Sequence, residues 1–169
     1  WGFIKGWLSH NFGLFTSKLL NVAVLLPELK IRLFHQGRTI DYGTVGYQKV
    51  TTAFCELMVA QLQTETSVWG DFKYHDSGVG TTAEQNTDTA IETTDGQARS
   101  TGTQTTTSTV IYKSVGTIAY TGTYAVTEHG LFNTTNTATL MDRTVFSAVN
   151  VVNGDSVEYT YQLTVTAGG

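Results

Sequence analysis

The segment from Ser156 to Thr166 constrains the fold more than any other stretch of the chain. Val157, Tyr159, Tyr161, Leu163 and Val165 alternate with Glu158, Thr160, Gln162, Thr164 and Thr166. Successive side chains of a β-strand point to opposite faces, so a period of two builds one apolar and one polar face. Such a strand covers a core on one side only. Asn153-Gly154 lies just before it and is the strongest two-residue hairpin signal in the sequence, because both residues tolerate positive φ. The expected pairing partner is therefore the apolar run Thr144 to Val152.

Other stretches carry the same signature. Leu29, Ile31 and Leu33 alternate with Lys30 and Arg32, and Gln36-Gly37 marks a turn, so Leu29 to Tyr42 is expected as a hairpin. Trp69 to Tyr74 is expected as a short strand. Asp76 to Gly96 is a long polar connection. Thr101 to Thr109 is mostly Thr and suits an exposed strand or a loop. Val110 to Thr127 holds one or two strands, with Gly116 and Gly122 as candidate bulges or turns. One helix is expected, Val50 to Gln63, capped by Thr51 or Thr52 and carrying the stripe Val50, Phe54, Leu57, Met58 and Leu62. Cys55 falls in this helix and is expected as a buried structural thiol. As the single cysteine it can form neither an internal disulfide nor a zinc cluster. The expected fold is mainly β: an antiparallel β-sandwich, residues 29–169, with one amphipathic helix near 51–63.

Residues 1–28 differ in composition and are expected to form an N-terminal apolar arm or broken helix. Ile4, Trp7, Leu8, Phe12, Phe15 and Leu19 recur at steps of three to four, with one shorter step. Gly2, Gly6 and Gly13 each weaken a helix by about 1 kcal/mol. Two readings stand for this arm. It packs on the chain's own sheet, or it anchors a partner through Trp1, Phe3, Ile4, Trp7, Leu8, Phe12 and Phe15. Val22 to Leu26 is too short to cross a bilayer, and Lys5 and Lys18 are too few to hold an anionic membrane surface. The opening residues lack a basic region and a small-residue cleavage site, so no signal peptide is expected.

Charge and motifs narrow the functional classes. A net charge of −4 with no basic stripe argues against nucleic acid as a partner. His75-Asp76 and Glu128-His129 are adjacent pairs, and neighbours on a strand face opposite ways, so they make poor joint metal ligands. Ser77 beside them is not a catalytic triad, whose members meet in space. Gly78-Val79-Gly80-Thr81-Thr82 lacks the Lys of a phosphate loop and is expected as a turn with positive φ. Asp71, Asp76, Glu84, Asp88, Glu92 and Asp95 are dense enough for calcium but do not match the spaced EF-hand loop. Tyr112, Tyr120, Tyr124 and Tyr159 could line a sugar groove, although on alternating strands such residues are usually core or cross-strand pairs. No catalytic residue, metal site or cofactor is expected.

Three stretches together resemble a family of tailed-bacteriophage virion structural proteins. The first is the helix Val50 to Gln63 and the strand after it. The second is Asp76-Ser77-Gly78-Val79-Gly80-Thr81-Thr82-Ala83, followed by Asp88-Thr89-Ala90-Ile91 and Arg99. It is similar to the pattern Gly-x-Gly-Thr, Asp-Thr-Ala-Leu, Arg, with Ile91 in place of Leu. The third is Thr127-Glu128-His129-Gly130-Leu131-Phe132, followed by Leu140-Met141-Asp142-Arg143 and Phe146. It is similar to Glu-x-Gly-Leu-Phe, Leu-x-x-Arg, Phe. The closing Gly154-Asp155-Ser156-Val157 and its Tyr-rich strand also fit, so the resemblance covers about residues 45–169.

The resemblance implies a non-enzymatic, β-rich protein of the virion. The expected role is a capsid decoration or cement protein, homo-oligomeric, bound to the major capsid protein or other virion proteins and not to nucleic acid or membrane. A tail-fibre or adhesin domain that binds a host surface polymer is the alternative. Leu131 and Phe132 are expected to seat a strand end in the core. In the alternative, Phe132 anchors a subunit contact at the loop Asn133 to Thr139. Arg143 is expected to hold a carboxylate such as Glu128 across strands.

Overall fold

The computed structural model describes residues 24–47, 49–62, 71–136 and 138–166. Two five-stranded antiparallel sheets face each other. In chain order the elements are β1 (Val24–His35), β2 (Arg38–Gly46), β3 (Lys49–Val50), α1 (Thr52–Leu62), β4 (Tyr74–Gly78), β5 (Ser100–Thr101), β6 (Thr103–Ser108), β7 (Ile111–Ala119), β8 (Tyr124–Phe132), β9 (Leu140–Val151) and β10 (Ser156–Thr166). One sheet has the order β2-β1-β10-β7-β6 and the other β3-β9-β8-β4-β5. This is the expected sandwich with one helix.

Inward positions follow the period of two. Leu29, Ile31 and Leu33 of β1 meet Val157, Tyr159, Tyr161 and Leu163 of β10 in the core, closed from the other sheet by Val126, Leu131, Phe146, Val149 and Val151. Burying each aliphatic side chain contributes about 1.5–3 kcal/mol. Val165 continues the alternation but is half exposed, because it lies at the end of the sandwich. The β1–β2 turn is Gln36-Gly37, with φ of +48° and +74°. Positive φ at both central residues is the geometry that matches strand twist in a two-residue hairpin.

The pairing of the last strand departs from expectation. β10 pairs with β1 and β7, while β9 pairs with β8 and β3. Asn153-Gly154 therefore carries the chain from one sheet to the other and does not close a hairpin. Only Gly154 has positive φ, +93°. The corner is held by Asp155, which accepts from the Val152 N–H at 2.9 Å, and by the Tyr120 backbone, which bonds Gly154 and Asp155.

Other boundaries also shift. β1 begins at Val24 and runs through Pro27, taking up the last residues of the segment set apart as an arm. Pairing with β2 stops at Leu29, so β1 is paired on one side only at Pro27, where a missing N–H is tolerated. Of the strand expected at Trp69 to Tyr74, residues 69–70 lie outside the described residues and β4 begins at Tyr74, while the strand expected at Thr144 starts at Leu140. β7 runs unbroken through Gly116, whereas Gly122 lies in the β7–β8 turn.

Thr51 caps α1, its hydroxyl oxygen accepting from the Phe54 N–H at 3.2 Å while the hydroxyl donates to the Leu140 carbonyl. Within the helix only Phe54 is buried, meeting Phe72 edge to face. Leu57 and Met58 pack partly on the core, but Leu62 is 83% exposed. Cys55 is exposed, not buried. It lies about 100° around the helix from Phe54, outside the narrow stripe that touches the sandwich.

Candidate functional site

The polar connection 79–99 folds over the outer face of the second sheet, fixed there by two arginines. Glu128 begins this arrangement. Val126, His129 and Leu131 all face the core, a spacing of three and then two. The register irregularity between Val126 and Glu128 absorbs the odd residue, as bulges do, and leaves Glu128 facing the loop. Its Oε1 accepts from Gly80 N at 2.9 Å and Thr93 N at 2.8 Å. Its Oε2 accepts from Glu92 N at 2.9 Å and from Arg143 Nε at 2.8 Å. Four donors fill a carboxylate that is 0% exposed, so none of its oxygens is left to take a proton from a substrate.

Arg143 extends the lock to the loop. Its Nη1 lies 3.0 Å from Asp88 Oδ2 and its Nη2 3.2 Å from Glu92 Oε2. Bonds from the hydroxyl and N–H of Thr82 draw the Glu92 carboxyl below its usual range, against desolvation and with help from Arg143. Gly78 and Gly80 have no positive φ. They are glycines because the loop passes directly over Glu128. A Cβ on Gly78 would stand 2.6 Å from Glu128 Oε1, and one on Gly80 would stand 2.6 Å from the Glu92 Cβ.

A second arginine closes the other end. Arg99 Nε donates to Asp76 Oδ2 at 2.8 Å, and its Nη1 donates to the carbonyls of Thr134 and Asn136. Its guanidinium lies 3.6 Å from the Phe132 ring centroid, a cation–π contact. Burial raises the Asp76 carboxyl, and Arg99 works against that rise. Phe132 is 1% exposed, seated with Leu140 and Ile91 beside Gly130.

Between the sheets lies a second polar cluster. His75 Nδ1 is 2.9 Å from His129 Nε2, and His75 Nε2 is 2.8 Å from Ser114 Oγ. His129 stacks on Tyr159 at 4.7 Å. The Tyr159 hydroxyl meets that of Tyr120 at 2.8 Å, and Tyr120 donates to Ser77 Oγ at 3.0 Å. Serine, histidine and histidine connect here as a nucleophile, a base and an orienting group would, but each is 0% exposed. Burial lowers the His75 imidazole to about 3. Burial, and then His75, holds the His129 imidazole well below the usual range. Both rings are neutral in the core.

Asp142 is buried on β9 with Oδ1 accepting from Thr144 Oγ1 at 3.2 Å and Oδ2 without a partner among the described residues. Burial holds its carboxyl well above the ordinary 3.8, outweighing the Thr144 bond. A raised folded-state pKa contributes stability below the unfolded value and loses it as pH rises. Asp142→Asn, which has no charge to bury, is therefore expected to stabilise the protein at pH 7. The gain shrinks as pH falls from the raised folded-state value toward 3.8 and is gone below it. Urea unfolding across pH measures it, and a pH-independent difference would overturn this account.

The residues expected to anchor a partner, Trp1, Phe3, Ile4, Trp7, Leu8, Phe12 and Phe15, lie outside the described residues. Of the tyrosines considered for a sugar groove, Tyr120 and Tyr159 are buried, while Tyr112 and Tyr124 are half-buried at the core margin. Among the described residues, no group of three or more His, Cys, Asp or Glu is placed to hold a metal ion. The expected Arg143–Glu128 pair is present. The His75–His129 contact was not foreseen, because 54 positions separate its members and no spacing rule joins them. Compared with protein-family models, with curated proteins and with solved structures, the chain matches none, so its site is read from its own residues.

Proposed function

We propose that this chain is a structural protein of a bacteriophage virion, a capsid decoration or cement protein that binds the assembled shell. One observation carries the reading. The motif residues that resemble the phage pattern, among them Gly78, Gly80, Asp88, Arg99, Glu128, Phe132 and Arg143, converge on one lock that pins a long loop to a sheet. Their shared chemistry is mechanical: buried ion pairs and close-packed glycines hold a surface in shape. That suits a protein whose task is to present a rigid face.

The mechanism is linkage. A ligand that binds only the assembled shell stabilises it by mass action. The apolar residues Trp1, Phe3, Ile4, Trp7, Leu8, Phe12 and Phe15 are the proposed anchor on the major capsid protein. The test is co-sedimentation with empty, tailless capsids of the parent phage, using the full chain and a form lacking residues 1–23, which leaves β1 whole. The expected result is that the full chain sediments and raises the melting temperature of the shell, while the shortened form stays in solution. If neither form sediments, the capsid reading fails, and binding to host cells tests the fibre alternative.

A further inference from the structure

Among the described residues each sheet has two edges, and three of the four are protected. β3 and β5 are two residues long. β2 carries Arg38 and Asp41, and its pairing with β1 is broken by two register shifts. Short length, charge and bulges are the devices that keep an edge from accepting another strand. β6 has almost none of them. Its sequence, Thr-Gln-Thr-Thr-Thr-Ser, holds no charge, no Pro and no Gly. Thr103, Gln104, Thr105, Thr106 and Ser108 are exposed. Among the described residues β6 pairs only with β7, and its one irregularity falls at the end, between Thr106 and Ser108.

We infer that β6 is a self-association edge, pairing antiparallel with β6 of a second copy about a two-fold axis. The two five-stranded sheets then join into one of ten. A two-fold interface must be complementary to itself. An uncharged strand meets this requirement in any register, although the chain carries −4 overall. Reversed on its own copy, β6 places Thr and Gln opposite Thr and Ser, which pair through hydroxyl hydrogen bonds. Beside the edge lies a hollow of about 570 Å³ lined by Thr106, Val110, Ile111, Tyr112 and Val165. Val110 and Val165 are 51% and 42% exposed there. Reversed by the two-fold axis, the partner's strand brings the start of its own β6 against that apolar surface. This interface does not depend on the virion reading.

Sedimentation of the full chain over a range of concentrations tests the inference. The expected species is a dimer, twice the 18.4 kDa of the chain. Two charged variants, Thr103→Lys/Thr105→Lys and Thr103→Glu/Thr105→Glu, are each expected to run as monomers with an unchanged circular dichroism spectrum. Mixing them restores the dimer, because Lys then faces Glu. Hydrogen exchange on the unaltered protein gives an independent readout, with the 103–108 amides slowing as concentration rises. A wild-type monomer at every concentration overturns the inference. So does a dimer that survives the Lys pair, or exchange at 103–108 that ignores concentration.

Discussion

Arg143→Ala is expected to destabilise the fold by about 3 kcal/mol, the low end of the cost of leaving a buried charge without its partner. Glu128 would stay 0% exposed with its carboxylate facing an empty site. Its three backbone N–H bonds, from Gly80, Thr93 and Glu92, soften the loss. The same change releases Asp88 and Glu92, so the loop is freed along much of its length. Two signatures separate this from an ordinary core defect. Hydrogen exchange should quicken first at 79–93, well before the β1–β10 ladder. Combining Arg143→Met with Glu128→Gln should cost less than the two single changes together, since no unpaired charge then remains. A loss below about 1 kcal/mol, the scale of an exposed ion pair, would show that the lock does not hold the loop.

Gly116→Ala is expected to cost about 3 kcal/mol, at the upper end for overpacking. A Cβ there would strike Cδ2 of His75 and stand 2.8 Å from its Cγ. The ring cannot swing aside, because Gly102 flanks it, with a Cβ position 2.7 Å from Nε2, and both ring nitrogens are bonded. Gly116→Ala in a His75→Ala background should cost far less than in the parent, since the obstacle is gone. Equal costs in both backgrounds would place the strain elsewhere. Chemical denaturation of the four proteins decides between them.

The sequence made local periodicity readable and left spatial neighbours hidden. Ser156 to Thr166 was legible because half-burial writes a period of two into the residues themselves. The pairing of that strand was not legible. Asn153-Gly154 specifies a change of direction but not which sheet the chain enters next, and here β1, more than a hundred residues earlier, takes the place expected for β9. Cys55 is exposed although it sits in an apolar helix, because a helical stripe shows only that one face is apolar, not how much of it the sandwich covers. Gly78 and Gly80 announced a constraint, but its source was crowding by Glu128 and not backbone conformation. The Arg143–Glu128 pair was within reach because it spans a single pair of neighbouring strands. The His75–Ser114–His129 cluster joins strands of both sheets, and no local pattern encodes it.

The place of β10 bears on how the chain reaches this state. β10 lies between β1 and β7, at the middle of its sheet, and pairs with β1 from Val24–Thr166 to Phe34–Ser156. β1 must therefore wait for a strand more than a hundred residues later before this pairing can form. The second sheet has no such delay, because β4, β8 and β9 follow one another at shorter range. Long-range pairing is slow to nucleate and leaves strands exposed meanwhile. Closure of the first sheet is therefore expected to lag behind the second, with docking of β10 between β1 and β7 completing the core.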